Sequence, residues 1–270
     1  MQRLTDPAIL EPILNQDWPW AGFAIGDLEP KWMPHCEWWQ AAGTYVLLFD
    51  GLNPRLMCPY GDTSGLAAIL ASLKDARIWA NIPPDSAAIF RQFYRPVKTV
   101  NMRRMYLEGT VAGTGKAVRL TCADRLEIED LLKQGEWVLF LPHALVSGHY
   151  FGIRENGRLI AIAGTHLASS RYNIAAVGSV FTHPAHRGRG LANICCSHVL
   201  ESIGRAGIRR VVLNVEEEKA GARRIYERLG FQTACTYLDG ECVRIMEAAE
   251  RSAVQERRSR RAGCTSRSCE

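Results

Sequence analysis

The sequence predicts an α/β protein: an open mixed sheet with helices on its faces, preceded by a second, smaller α/β domain. Three observations predict it. Short β-branched or apolar runs alternate with amphipathic stretches at helical spacing. The chain has 270 residues, enough for two modest domains. Residues 108–116, EGTVAGTGK, set three glycines in a short polar stretch and read as a linker. The expected division is an N-terminal α/β domain at 1–110, a C-terminal domain at 117–246 and a flexible basic tail at 247–270.

In the N-terminal part, Thr44 to Asp50 is β-branched and aromatic and is followed by Gly51 and Asn53-Pro54, which predicts a strand and a turn. Asp62-Thr-Ser then opens a helix with Leu66, Ile69, Leu70 and Leu73 on one face. A strand at Arg77 to Ala80 and a short helix from Pro83-Pro84-Asp85 follow, then a strand from Val97 to Leu107 with its charges on one side. Trp18, Trp20, Trp32, Trp38 and Trp39 are expected to pack rather than bind.

The C-terminal part is more sharply patterned. A strand at Val118 to Thr121 precedes an amphipathic helix from Asp124 to Gln134, stopped by Gly135, and a shorter helix within Leu141 to Ser147. Strands at His149 to Arg154 and Leu159 to Leu167 flank Glu155-Asn-Gly-Arg158, a hairpin signal. Ile174 to Thr182 is a third apolar strand, followed by a helix from Gly190 to Ala206. Arg209 to Val215 is a strand, and Lys219 to Leu229 is a helix ended by Gly230. Two final strands, Phe231 to Tyr237 and Glu241 to Met246, are expected around a turn at Asp239-Gly240.

Composition narrows the function classes. Hydrophobic residues make up 47% of the chain, so it can bury a core. The net charge of +5 is mild and six arginines lie between Arg251 and Arg267, so the charge gives no ground for a nucleic-acid partner of the folded part. No stretch is long and apolar enough to span a bilayer, and the first residues lack a secretory pattern, so the expectation is a cytoplasmic protein without a membrane partner. The nine cysteines form no CxxC pair and no zinc spacing; no metal is expected.

The chemistry concentrates at Val180-Phe-Thr-His-Pro-Ala-His-Arg-Gly-Arg-Gly-Leu-Ala192, where a strand stops, a basic glycine-containing turn follows and a helix begins. A helix N-terminus presents unpaired amides and a partial positive charge, and glycines at 188 and 190 let a ligand approach the backbone. Such a place suits a pyrophosphate, though an ordinary turn with solvated arginines fits the same residues. Downstream, Ala222 and Tyr226 stand one helical turn apart, ahead of Leu229-Gly-Phe231.

With these motifs the chain from about 117 to 246 resembles the GNAT superfamily of acyl-CoA N-acyltransferases. RGRGLA at 187–192 supplies the signature Arg/Gln-x-x-Gly-x-Gly/Ala, and KAGARRIYERLGF at 219–231 supplies Asn-x-x-Ala-x-x-x-Tyr-x-x-x-Gly-Phe except that Lys219 replaces the asparagine. The resemblance implies a mixed, mostly antiparallel sheet flanked by helices, with acetyl-CoA or another acyl-CoA as co-substrate and an amine of a small molecule or peptide as acceptor. It implies that the strand Val180, Phe181 and Thr182 holds the pantetheine arm. The amides of Gly188, Gly190, Leu191 and Ala192 would hold the pyrophosphate, with charge from Arg187 and Arg189. Lys219 would stand at the cofactor and Tyr226 would give a proton to the departing thiolate.

Two departures bear on mechanism. Lys219 changes one cofactor contact, and Ile174 to Thr182 offers no carboxylate base. Freeing a lysine-like amine at neutral pH costs about 4.6 kcal/mol, so a proton acceptor is needed, with Glu216, Glu217 and His166 as candidates. A non-catalytic acyl-CoA-binding regulator is the alternative function, and nucleic-acid binding through the arginine tail a third. The N-terminal half is expected to be a degenerate copy of the same fold: Gly61-Asp-Thr-Ser-Gly65 imitates the turn but lacks the arginine and reads as a helix cap. The sequence leaves the oligomeric state open, a homodimer included.

Overall fold

A computed structural model describes residues 1–135 and 138–245; the basic segment 247–270 lies outside the described residues. The N-terminal half contributes strands β1 (Gln2–Leu4), β2 (Cys36–Ala41), β3 (Thr44–Phe49), β4 (Leu56–Gly61), β5 (Arg77–Ile82) and β6 (Tyr94–Glu108), with helices α1 (Pro7–Leu14), α2 (Trp18–Gly26), α3 (Leu66–Ser72) and α4 (Ala87–Phe90). The C-terminal half contributes β7 (Val118–Arg119), β8 (Phe151–Glu155), β9 (Arg158–Ser169), β10 (Ile174–Thr182), β11 (Arg210–Glu216) and β12 (Gln232–Arg244), with α5 (Arg125–Leu132), α6 (Leu191–Arg205) and α7 (Ala220–Arg228).

All these strands join one sheet in the order β1-β2-β3-β4-β5-β12-β6-β11-β10-β9-β8-β7. The order reads the same from either end if β1 to β6 are exchanged with β7 to β12. Both halves also follow one sequence of elements: β, helical segment, helical segment, hairpin, β, α, β, α, β. In each half one neighbouring pair is parallel, β4 with β5 and β10 with β11, joined by a right-sized crossover helix; every other pair is antiparallel. The last strand of each half is exchanged: β6 pairs with β11, while β12 pairs with β5, and the two meet along a ladder from Gln232–Tyr106 to Arg244–Tyr94.

The local chemistry explains most elements. Asp6 and Asp17 accept the amides of Ala8 and Trp20 at the starts of α1 and α2, and each helix carries Pro in its first turn, where no amide is needed. Asn156 and Gly157, at φ +51° and +78°, turn the β8–β9 hairpin as the Asn-Gly pair predicts. The segment 109–117 packs on α6, where Thr114 donates its amide to Ser197 Oγ at 3.0 Å.

Two expectations fail. Residues 232–244 form one strand, not a hairpin turning at Asp239-Gly240. Gly240 is needed instead because a Cβ there would run into the Lys98 backbone, and Asp239 accepts from Trp79 Nε1 at 2.9 Å and from Asn81, both on β5. The charges of β6 do not share a side. Arg103 reaches Glu217 at 2.8 Å, half-exposed, while its neighbour Arg104 is buried at 2% exposure.

The core lies on both faces. Leu191, Cys195, Cys196, Val199 and Ile203 of α6 pack on one face of the C-terminal sheet, together with Tyr226 and Phe231. On the opposite face Trp20, Ala21, Ala24 and Ile25 of α2 cover Ile174, Ala176 and Val212. Val212 sits so close to Gly22 that a Cβ at 22 would meet its methyls at 2.7 and 2.9 Å, so the N-terminal helix seats directly on C-terminal strands. Because β6 fills the flank of β11, a fragment of residues 117–245 would expose an unpaired edge. It is expected to aggregate in gel filtration, whereas co-expression with residues 1–108 should give one soluble 1:1 complex.

Candidate active site

The parallel register of β10 and β11 ends at Val177–Leu213, although β10 continues to Thr182 and β11 to Glu216. Just beyond, the β9–β10 register shifts between Gly178 and Phe181, and Ser179 takes a φ of +51°. A glycine inside an apolar strand signals such a bulge, and here it turns β10 away from β11. Ser179 is fixed by donating to the Leu139 carbonyl at 2.9 Å and by a 3.2 Å contact with the Tyr150 hydroxyl. The result is a gap between two strand ends in the middle of the sheet.

The basic turn stands at the mouth of that gap. Val180 packs half-buried against the α6 side of the core, and Phe181 is buried on the other side, among Leu120, Ile128 and Ile162. Thr182 keeps a buried hydroxyl that has no hydrogen-bond partner among the described residues. His183 accepts the Ala185 amide and starts the short 184–186 turn. Arg187 Nε donates to the Thr182 carbonyl at 3.3 Å. Gly188 and Gly190 have φ of +78° and +76°, and a Cβ on either would meet nothing within 4 Å. They are glycines for their backbone conformation, and the space before them is open.

Leu191 anchors the start of α6 in the core, and Ala192 follows half-buried. The first α-helical hydrogen bond runs from the Ile194 amide to the Gly190 carbonyl at 3.2 Å, which leaves the amides of Leu191 and Ala192 without an intrahelical acceptor. Arg189 is held to one side by Glu155 at 2.8 Å and by His186 Nδ1 at 2.9 Å. Arg189 beside Glu155 keeps that carboxyl below the usual carboxylate range.

The second motif flanks the same gap. Lys219 precedes α7 and pairs with Glu216 at 2.7 Å, at the end of β11. Tyr226 points from α7 into the core beside α6, 6.1 Å from the Phe231 ring in an edge-on contact. Burial, reinforced by nearby Cys196, pushes its phenol well above the ordinary range, so it holds its proton. Of the three proton acceptors considered from sequence, Glu216 is taken by Lys219 and Glu217 by Arg103. His166 lies on the sheet next to the bulge.

Sequence reasoning missed Arg104, which borders the gap from the N-terminal half. Its Nε donates to Asn214 Oδ1 at 2.5 Å and its NH1 to the Trp20 carbonyl at 2.6 Å, and the rings of Trp20, Phe23 and Tyr237 surround it within 5.4 Å. The available signal was the alternation of a strand: adjacent Arg103 and Arg104 must face opposite sides, so the charges of this strand could not share one face.

Comparison with known proteins agrees with this geometry. Residues 120–231 match the model of the acetyltransferase (GNAT) family. The family match thus covers the C-terminal part of the chain, where the bulged strand, the RGRGLA turn and α6 lie. A putative GNAT acetyltransferase of Novosphingobium aromaticivorans shares 22% identity with a TM-score of 0.58 over 83% of this chain and 97% of its own. A GCN5-related N-acetyltransferase of Sphaerobacter thermophilus gives 18% and 0.59 over 91% and 96%; both show likeness of fold. A curated relative, the L-methionine sulfoximine/L-methionine sulfone acetyltransferase of Salmonella typhimurium, is 36% identical over 79 residues. That match spans 28% of this chain and 46% of the relative, about half its length.

Arg104→Ala removes two charge-assisted hydrogen bonds, each contributing about 1.5–3 kcal/mol, and relieves part of the cost of a buried charge. The expected net loss is about 3 kcal/mol of unfolding free energy in urea, with Asn214 left unpaired at the gap.

Proposed function

We propose that the protein transfers an acyl group, chiefly acetyl, from acyl-CoA to the amine of a small molecule or peptide by direct attack. The carrying observation is the coincidence of two features built by different residues. The gap between β10 and β11 opens where the amides before α6 stand free in front of Gly188 and Gly190. A diphosphate fits the second and an extended amide-bearing arm the first, because strand backbone left unpaired inside a sheet needs a hydrogen-bonding partner. The orphaned Thr182 hydroxyl adds a polar group at the junction.

In this reading Val180, Phe181 and Thr182 hold the arm through their backbone, and Gly188, Gly190, Leu191 and Ala192 hold the diphosphate. Arg187 and Arg189 supply positive charge at the turn, and Lys219, paired with Glu216, stands at the cofactor from the start of α7. Tyr226 keeps its proton at all physiological pH because of its burial, so it meets a developing thiolate as a hydrogen-bond donor. Attack by the nitrogen forms the C–N bond, the C–S bond breaks, and Tyr226 hydrogen-bonds the sulfur that leaves.

The N-terminal half we read as a worn copy of the same unit that walls the acceptor side. Its element order and its parallel β4–β5 pair support this. The equivalent turn is closed: Thr44 Oγ1 takes the Gly65 amide at 2.8 Å, Asp62 takes the Ser64 amide at 2.9 Å, and a Cβ at Gly65 would run into the Ala41 carbonyl. An acid and two satisfied amides repel a phosphate where the C-terminal turn attracts one. The described cysteines are unpaired and no helix among the described residues is long and apolar enough to cross a membrane, which supports a place in the cytoplasm.

Gly190→Glu places a carboxylate in the turn and is expected to abolish the rise in melting temperature with acetyl-CoA. Tyr226→Phe is expected to lower turnover by about 10²–10⁴, the range for a lost proton donor, with binding and fold intact. Unchanged turnover would remove Tyr226 from the mechanism. Binding without thiol release from the wild type over a broad amine panel would favour the non-catalytic regulator, which the absence of a carboxylate on β10 also suits.

A further inference from the structure

The bulge in β10 is covered, on the face away from α6, by one imidazole. His166 on β9 lies over Gly178, where a Cβ would run into the ring, and the Phe23 ring of α2 stands 6.4 Å away. Its Nε2 is 3.3 Å from the Leu139 carbonyl, the same oxygen that accepts from Ser179. A carbonyl can only accept, so the proton sits on Nε2 and Nδ1 carries a lone pair.

His166 also lines a cavity of about 270 Å³, walled by the segment after α2, by the 142–147 turn and by β9. The titratable groups of that wall are Glu29, Lys31 and His143. Glu29 is engaged by the Ser169 hydroxyl. Lys31 is exposed, lies over the Trp32 ring at 5.3 Å, and contributes after burial to holding the His143 pKa down, so its charge is felt inside the wall. Trp32 and His143, with ring centroids 5.2 Å apart and tilted to each other, close one side. A volume just below the roughly 300–1,000 Å³ of ordinary ligand pockets admits a metabolite-sized molecule and excludes a folded partner.

We propose that this cavity receives the acceptor, a small primary amine bearing a carboxylate, with Lys31 facing the carboxylate and His166 Nδ1 taking the proton of the attacking nitrogen. The proposal rests on the reading of the β10–β11 gap as the acyl-CoA site. As the C–N bond forms and the C–S bond breaks, the proton of the nitrogen passes to His166, and the thiolate leaves hydrogen-bonded to the Tyr226 hydroxyl and is protonated from water. Proton release to water returns His166 to its starting state. Burial holds the His166 pKa below its ordinary 6.5 despite the Leu139 contact, so the ring is neutral at neutral pH. Protonation of His166 therefore adds a fall in activity below pH 6.5 to the one caused by protonation of the acceptor amine at higher pH.

The test uses the full chain, acetyl-CoA and a panel of free α-amino acids, read by thiol release, with acetyl-CoA-induced thermal shift as a separate readout. His166→Gln keeps a donor for Leu139 but has no base. It should retain the thermal shift, lose about 10²–10⁴ in kcat, and lose the part of the acidic fall that lies below pH 6.5. Lys31→Glu should raise KM for the best amino acid at least about tenfold, with kcat nearly unchanged and little effect on the corresponding amine lacking a carboxylate. A His166→Gln enzyme with wild-type kcat and pH profile, or a Lys31→Glu enzyme with wild-type KM, overturns the proposal while leaving the acyl-CoA site standing. A wild type that shows no thermal shift with acetyl-CoA overturns both.

Discussion

The ladder between β6 and β12 is the interaction on which the rest of the molecule depends. Each is the last strand of its half, and each pairs with the other half as well as with its counterpart. Removing either leaves two sheet edges, not one, because the strand is interior on both sides. Burial of backbone polar groups is tolerable only when they are paired, so the two halves cannot separate without exposing or orphaning the flanks of β5 and β11. The exchange thus fuses two units of the same order into a single sheet and fixes the spacing of everything built across the centre.

The site inherits that constraint. β11 can leave β10 beyond Leu213 because its other edge stays fully paired with β6 down to Glu216–Met102. A strand with one free edge keeps its course only if the opposite edge is held. Arg104 strengthens the hold from β6, locking Asn214 at the point of departure while the aromatic residues around it exclude water. A residue of the N-terminal half thereby shapes the opening between two C-terminal strands, although no motif in the sequence connects them.

This division marks what was legible in the sequence. The RGRGLA turn, the strand before it and the helix after it could be read because local requirements fix them: positive φ at Gly188 and Gly190, and an apolar face on α6. The Asn-Gly hairpin and the β11–α7 succession were legible for the same reason. Expectations failed where a residue answers to a distant strand. Asp239-Gly240 has the composition of a turn, yet the aspartate is bound by Trp79 and Asn81 and the glycine lets Lys98 come close. β1, β2, β4, α1 and α2 escaped notice because tryptophans, prolines and short lengths blur their periodicity, and they are held by tertiary packing.

The two turns differ in whether their helix amides are already bound. Both precede a crossover helix between parallel strands, so the fold places helix amides at each. In the N-terminal half those amides bind their own chain through Thr44 and Asp62, while in the C-terminal half two glycines keep them free and arginines replace the acid. An anion site is therefore not a property of the fold but of whether nearby side chains have already satisfied the donors. The N-terminal half instead packs its α2 face and the segment after it toward the C-terminal strands, where Phe23 stands against His166 of β9 and Trp32 against His143 of the 142–147 turn.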